Sequence, residues 1–368
     1  MGFVYADWDD GTGYWNEKAY YQFTLRQIED DLEDPTEEIE QMCRAFVDIA
    51  VRDEEILRKL ALPEYAWDMI ANSWLDGDKD LYGRIDLCYD GKGPAKLYEY
   101  NADTPTSLYE AALFQWVWLE DSIASGRFPD TADQFNSAHE RMVDRLKAFL
   151  PLGETLYGAC AKDSTEDAAT ITYIQDLAEQ AGLKSAFIHV EDIGIDAGGQ
   201  FTDMDDNAIR LLFKLYPWEW MLDEEFGALV PKSDTVFIEP PWKAVLSNKG
   251  MLPYLWAMNK GHPNLLPSFF AGDSTADELG DSYALKPIFS REGANVKLVR
   301  DGVEQASIDG PYGQEGMIVQ ALAPLPEFDG PVQIFAQLNV DPDDGGVTCS
   351  ADPWDKAGYI TLWEPFSQ

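Results

Sequence analysis

Basic residues are scarce in this chain: 27 Lys plus Arg stand against 67 Asp plus Glu in 368 residues, a formal net charge of −40. Nucleic-acid binding is excluded on that ground, because phosphate contacts need a basic face and polyanions repel one another. Histidine is scarcer still. His139, His189 and His262 lie far apart in unrelated contexts, so no HExxH or histidine-rich metal site exists and each reads as structural. The four cysteines, Cys43, Cys88, Cys160 and Cys349, form no CxxC pair and are too sparse for a disulfide framework, so they read as buried thiols. No uncharged apolar run approaches the ~20 residues needed to span a bilayer. Met1 to Asp7 lacks a basic region followed by an apolar stretch, and Ala6 breaks the Ser/Thr requirement of a myristoylation signal. A cytoplasmic location with no membrane partner is therefore expected. Both the GxSxG elbow and the phosphate-cradling GxxxxGK(S/T) loop are absent.

What is present is enough for a large core, since 45% of residues are apolar and 13% aromatic. The length suggests two or three packed units. Residues 1–80 read as helical: Asp34-Pro35 places a cap before a first-turn proline, and Ile39, Met42, Cys43, Phe46, Ile49 and Ala50 follow at three-and-four spacing. The period then changes to two. Tyr82, Arg84, Asp86 and Cys88 alternate with Gly83, Ile85 and Leu87, and Leu97 to Asn101 alternates beyond a turn carrying Asp90-Gly91-Lys92-Gly93-Pro94, so two paired strands are expected. Helix returns from Ser107 to about Phe149.

From Glu154 the order is strand, helix, strand: Thr155–Cys160, a helix capped by Ser164 and ended by Gly182, then Ser185–Val190. Ile209–Leu215 and Thr235–Ile238 repeat it, which predicts an α/β layer unit with a mostly parallel sheet. A helix is expected near 250–260, and strands and turns from Ser282 to Trp363. The twelve tryptophans could build a carbohydrate platform, but several lie in helical apolar patterns and read better as core.

The chemistry concentrates in Arg84-Ile85-Asp86 and Glu99-Tyr100-Asn101. Residues two apart on a strand share a face, so pairing would gather Arg84, Asp86, Glu99 and Asn101 into one patch. Two carboxylates and an amide oxygen suit magnesium, which keeps several waters and completes its shell with substrate phosphates. Taken alone, the same patch is equally a cross-strand salt bridge. Asn248-Lys249 and Lys286-Pro287 supply cations for a nucleotide, and Ser290 to Asn295 reads as a loop whose Gly293 lets backbone amides approach phosphates.

These segments together resemble the synthetase domain of glutathionylspermidine synthase. The resemblance is carried by Tyr82 to Asp86, by Lys96 to Leu108 with its Glu99-Tyr100-Asn101 and Thr104-Pro105-Thr106, by Asn248-Lys249, and by Leu285-Lys286-Pro287 with Arg291-Glu292-Gly293. It implies an α/β, ATP-grasp-like fold with an additional α/β layer unit, and an ADP-forming acid–amine ligase using ATP and Mg2+. By the resemblance Asp86, Glu99 and Asn101 are magnesium ligands and Arg84 faces the transferred phosphoryl group. Lys249, Lys286, Glu292, Gly293, Val319, Gln320, Ala321 and Leu322 contact ATP, while Thr104, Thr106, Glu166 and Asp167 face the substrates. Those substrates are a small peptide-like acid, with glutathione a candidate, and an amine, with polyamines candidates; the −40 charge would attract such a cation.

Three parts are implied: 1–150 with the metal-ligand strands, 151–240 as the substrate-side unit, and 241–368 as the ATP lid and C-terminal strands. The chain departs from the family at Ser350, where an arginine is usual, so an ATP-binding homologue with little ligase turnover is the alternative reading. In the ligase reading Arg291 or Arg300 would supply that charge instead.

Overall fold

The apolar residues between the charged ones of Tyr82–Cys88 decide where that strand goes. Ile85 and Leu87 are fully buried against the N-terminal helices, and the whole strand is inaccessible to solvent. In the computed structural model, which describes residues 20–134, 137–291, 293–323, 334–339, 346–351 and 360–364, the strand lies inside a four-stranded antiparallel sheet. The order is Gly346–Ala351, Ile334–Asn339, Tyr82–Cys88, Lys96–Asn101. The register pairs Arg84 with Asn101 and Asp86 with Glu99, so the expected patch forms.

Strict alternation does not hold across the whole second strand. A bulge between Asp86 and Leu87 pairs Leu87 with Leu97, which puts Leu97 into the core while Glu99 and Asn101 stay on the opposite face. The turn between the strands is closed by Asp90, whose carboxylate accepts from the amides of Lys92 and Gly93.

The first helix starts earlier than the Asp34-Pro35 signal predicts. Thr24 caps it with a reciprocal Gln27 contact, and the chain runs through Leu25–Ile28 and a π-type turn, Glu29–Glu33, into Asp34–Ala50. Pro35 has no N–H and crowds the preceding turn, and the widened turn accommodates it. Ile39, Cys43, Phe46, Val47 and Ala50 face the core, whereas Ile49 is exposed. The expected helix from Ser107 is also broken up, into a π-type turn at Glu110–Phe114, Gln115–Ala124, and Ala138–Leu146 ending in a 3-10 turn.

The α/β unit follows its reading closely. Ser164 accepts from the Asp167 amide to open Thr165–Ala181, Gly182 ends it with φ 95°, and four parallel strands lie in the order Lys184–His189, Thr155–Cys160, Leu211–Leu215, Val236–Ile238. A third sheet of five antiparallel strands, ordered Ser268–Phe270, Met317–Ala321, Tyr283–Pro287, Lys297–Arg300, Val303–Ser307, covers one end of the first. No helix among the described residues is long and apolar enough to cross a membrane.

Buried charges join the parts. Asp80 meets Arg44 at 2.9 Å, Arg145 at 3.0 Å and Lys243 at 3.4 Å, and Lys243 meets Glu239 at 2.7 Å. Glu239 also accepts from the amides of Leu81 and Tyr82, which anchors the start of the site strand to the parallel sheet. Likewise Lys214 donates to Asp103 at 2.6 Å, and the Trp218 amide donates to the same carboxylate at 2.7 Å.

Gly83 is needed for close packing: a Cβ there would lie 2.6 Å from Cε2 of the buried Tyr100 ring. Gly83→Ala is expected to cost about 1–3 kcal/mol in a urea melt, and unchanged stability would show that Tyr100 gives way freely.

Candidate active site

Pairing on adjacent strands sets the acidic centre. Arg84 grips Asp86 with two N–H groups, Nε to Oδ1 at 2.8 Å and Nη2 to Oδ2 at 3.2 Å, and its Nη1 donates to Thr106 Oγ1 at 2.8 Å. Asn101 bridges the two acids, with Nδ2 3.1 Å from Asp86 Oδ2 and 3.4 Å from Glu99 Oε1. Glu99 Oε2 in turn accepts from Lys249 Nζ at 2.9 Å. No group of three or more His, Cys, Asp and Glu that could hold a metal occurs among the described residues; the third member of this centre, Asn101, turns its N–H groups to the two acids.

The two lysines arrive from different elements. Asn248 donates to the Leu60 carbonyl and caps the Gly250 amide, which fixes Lys249 just ahead of the Met251–Met258 helix, and the Lys249 amide itself donates to the Ile288 carbonyl. Its ammonium also reaches the Ser290 carbonyl at 2.9 Å. Lys286, on a central strand of the five-stranded sheet, donates to the Tyr98 carbonyl at 3.2 Å and to Gln320 Oε1 at 2.7 Å. Gln320 completes the link by donating to the Leu97 carbonyl.

Between the sheets lies a cavity of about 430 Å³ lined by Glu99, Asn101, Thr104, Glu219, Lys249 and Arg291 among others. Arg291 donates to Thr104 Oγ1 at 2.8 Å and to Glu219 at 3.2 Å, and its guanidinium lies 5.4 Å from the Trp220 ring centre. Of the two arginines considered as substitutes at Ser350, Arg291 therefore reaches the cavity, whereas Arg300 is exposed on the Lys297–Arg300 strand. The Ser350 backbone pairs with Phe335, which pairs with Asp86, so all three stand in one row across the sheet.

Not every expected residue gathers here. Glu166 and Asp167 open the Thr165–Ala181 helix and are not among the described residues lining the cavity; Asp167 acts electrostatically on Tyr82, whose hydroxyl holds the Pro105 carbonyl between the two threonines. Gly293 takes φ 70° in the turn following Arg291, and Glu292 lies outside the described residues. Val319, Gln320 and Ala321 are paired to strands on both sides or to Pro267, and Leu322 follows the strand end. Glu219 and Trp220 were not singled out from sequence; the run Trp218-Glu219-Trp220 gives no signal for them beyond an acid between two aromatics.

The environment pushes the two acids in opposite directions. Burial raises Asp86 to about 7, against the opposing pull of Arg84 and with the help of the neighbouring Glu99. Glu99 also feels burial, but Lys249 and Lys286 outweigh it and hold it at about 2. Burial lowers Lys286 to about 8, partly offset by Glu99.

A five-stranded antiparallel sheet against a four-stranded antiparallel sheet, with a parallel α/β unit alongside, gives an ATP-grasp-like fold with an additional α/β layer. The trace is similar to that of a glutathione synthetase-like effector (GSS30) from Globodera pallida, with a TM-score of 0.56 and 12% identity over 95% of this chain and 89% of that one. At that identity the likeness concerns the fold alone. The chain belongs to the family described as glutathionylspermidine synthase preATP-grasp, whose profile matches residues 1–351.

A Haemophilus influenzae protein named "Putative acid–amine ligase" is 38% identical over 362 residues, which cover 95% of this chain and 89% of that protein. The bifunctional glutathionylspermidine synthetase/amidase of Escherichia coli is 26% identical over 92% of this chain, which spans 57% of its length. Trypanothione synthetase of Crithidia fasciculata is 28% identical over 76% of this chain, which spans 46% of its length.

The opposed shifts give opposed pH signs. Asp86 binds its proton more tightly folded than unfolded, so ionising it costs stability as pH rises from its ordinary 3.8 to about 7. Glu99 is the reverse, contributing stability above its ordinary 4.5 that is lost as pH falls toward 2. Melting curves of Asp86→Asn are therefore expected to gain on the unsubstituted protein from about pH 4 to pH 7, and those of Glu99→Gln to fall below it over that range. A flat Asp86→Asn difference would refute the burial argument.

Proposed function

We propose that this protein is an ATP- and Mg2+-dependent carboxylate–amine ligase that forms an amide and releases ADP and phosphate. The observation that supports the reading is the connected cluster Arg84–Asp86–Asn101–Glu99–Lys249, of which Asn101, Glu99 and Lys249 line the cavity while Arg84, Asp86 and Lys286 are buried beside it. The side chains present fit magnesium: the Asp86 and Glu99 carboxylates converge on the Asn101 amide, which now turns its Nδ2 to both and would turn its oxygen to an ion held between them. Asp86, Glu99 and the Asn101 amide would hold the ion, whose charge would offset that of triphosphate oxygens.

The chain's own groups address the remaining problem, which is bringing a carboxylate and a triphosphate together. In the proposed reaction the carboxylate attacks the γ-phosphorus, the bond to ADP breaks, and the amine then displaces phosphate from the acyl phosphate. Arg84, already half-turned to Thr106, would rest against the transferred phosphoryl group, and Lys249 and Lys286 against the other phosphates. Thr104 and Thr106 would orient the acid. Closure between the sheets would keep out water that competes with the amine. A peptide-like acid such as glutathione and a polyamine are the substrate classes that the family relatives suggest, and the acidic surface suits a polycation. Leu322 and the strand before it would meet the adenine.

Ser350 supports a second reading, nucleotide binding with little turnover, because it stands in the Asp86 row without the positive charge usual there. The two part company in one experiment: melting with ATP and Mg2+ alongside ADP release over an acid and amine panel. Ligase function predicts stabilisation and ADP release; stabilisation without release for any pair would favour the second reading.

Asp86→Asn and Glu99→Gln are each expected to lower ADP release by at least about 100-fold while the chain stays folded. Lys286→Met should mainly raise the ATP concentration required, and the gap between it and the unsubstituted protein should narrow above pH 8 as Lys286 loses its charge. Near-normal release in both acid variants would overturn the assignment.

A further inference from the structure

The parallel sheet has two faces and only one is covered by a long helix. Thr165–Ala181 packs over Leu156, Cys160, Leu211, Phe213 and Ile238. On the other face, Ala159, Leu212 and Phe237 line a second cavity of about 590 Å³, closed by Phe201 of the hairpin after the first crossover and by Met221 and Phe226. Small-molecule sites have this predominance of apolar and aromatic lining.

The solvent-exposed charge at this cavity is negative. Its cation, Lys214, is 1% exposed and already satisfied, donating to Asp103 at 2.6 Å and to the Tyr216 carbonyl at 3.0 Å. At the mouth stands the exposed carboxylate of Glu224, which accepts from the Tyr216 hydroxyl, and Glu191 lies close enough to act on the same hydroxyl. Phe226, 53% exposed, lines the cavity at the same side. An occupant with an apolar body is favoured inside, and a positive group is favoured at the rim.

The cavity is separate from the catalytic one yet shares a wall with it. The short helix Trp218–Asp223 presents Glu219 to the Arg291 cavity and Met221 to this one. Tyr216 at the mouth packs on Trp220, and Trp220 packs on Arg291.

We propose that this second cavity binds an amine bearing a compact aromatic or branched aliphatic body, the body against Ala159, Leu212, Phe201 and Phe237 and the ammonium at Glu224. Such an amine has two sources, the ligase's own amine substrate or a separate effector. The site itself requires neither ATP nor turnover.

The test uses the full chain without nucleotide, with phenethylamine as probe and 2-phenylethanol as its uncharged counterpart, followed by calorimetry and ligand-observed NMR. Phenethylamine is expected to bind at millimolar or lower concentration and more tightly than the alcohol. Glu224→Gln, an exposed change that leaves the packing alone, should weaken the amine about fivefold and leave the alcohol unchanged. Ala159→Leu, which fills the cavity, should remove both, and Glu99→Gln should affect neither. Equal affinity of the two probes, no effect of Glu224→Gln, or no binding up to 10 mM, about 3 kcal/mol, would each overturn the proposal. Mass spectrometry of a reaction with acid, ATP and Mg2+ then separates the sources: phenethylamine in an amide marks a substrate, and a changed rate without incorporation marks an effector. Loss of ligase activity alone would leave the binding result intact, so failure of the ligase reading and failure of this one are distinguishable.

Discussion

The contact between Lys249 and Glu99 is what the rest of the site depends on. It joins the segment ahead of the Met251–Met258 helix to the Lys96–Asn101 strand, at the place where Lys286, Gln320 and the Tyr98 hydroxyl also tie the two sheets together. This partly buried carboxylate stays an anion because two ammonium groups, Lys249 and Lys286, together outweigh its burial. The same acid is thereby kept ionised at every physiological pH, while Asp86, one strand away and gripped by a guanidinium, sits close to neutrality. Two acids paired in register thus differ in proton affinity because their cations approach from different elements.

That arrangement recurs through the molecule. With only 27 basic residues the chain spends several of them inside: Lys214, Lys243 and Lys286 are buried, as is Arg84, and Arg44 and Arg145 are mostly covered. Most neutralise a buried acid: Lys214 at Asp103, Lys243 at Asp80 and Glu239, Arg44 and Arg145 at Asp80 across element junctions, and Arg84 at Asp86 along its own strand. Such pairs add little net stability over an apolar alternative, but an unpaired member is heavily penalised, so they select one relative placement of the parts. The surface is left with the surplus of carboxylates. Net charge is thus a poor guide to the interior, where cations and acids are matched.

Position relative to the strands also explains the division of labour in the loop after Asn101. Asp103 is turned inward to Lys214 and the Trp218 amide, while Thr104 and Thr106, flanking Pro105, meet Arg291 and Arg84. A buried ion pair beneath the loop holds two hydroxyls above it. The π-type turn that follows at Glu110–Phe114, and Ser107 at φ 68°, show that the chain accepts irregular backbone to place this loop.

Much of this was legible in the residues themselves. The two-residue spacing of Arg84, Asp86, Glu99 and Asn101 fixes them to one face if the strands pair, and the Ser164 cap and Gly182 stop mark a helix by local chemistry alone. Local rules missed the start of the first helix, because a π-type turn absorbed Pro35, and missed the bulge that sends Leu97 inward, because a bulge answers to the partner strand. Glu219, Trp220 and Arg291 converge from segments some seventy residues apart, and no spacing rule reaches that far. What the sequence determined by itself was each element's period, caps and the identity of its charged side chains, since those follow from bonds between near neighbours. Which acid faces which cation, and hence which proton is held and where the cavities open, was decided only when distant segments packed, because burial and Coulombic pairing are properties of space and not of order along the chain.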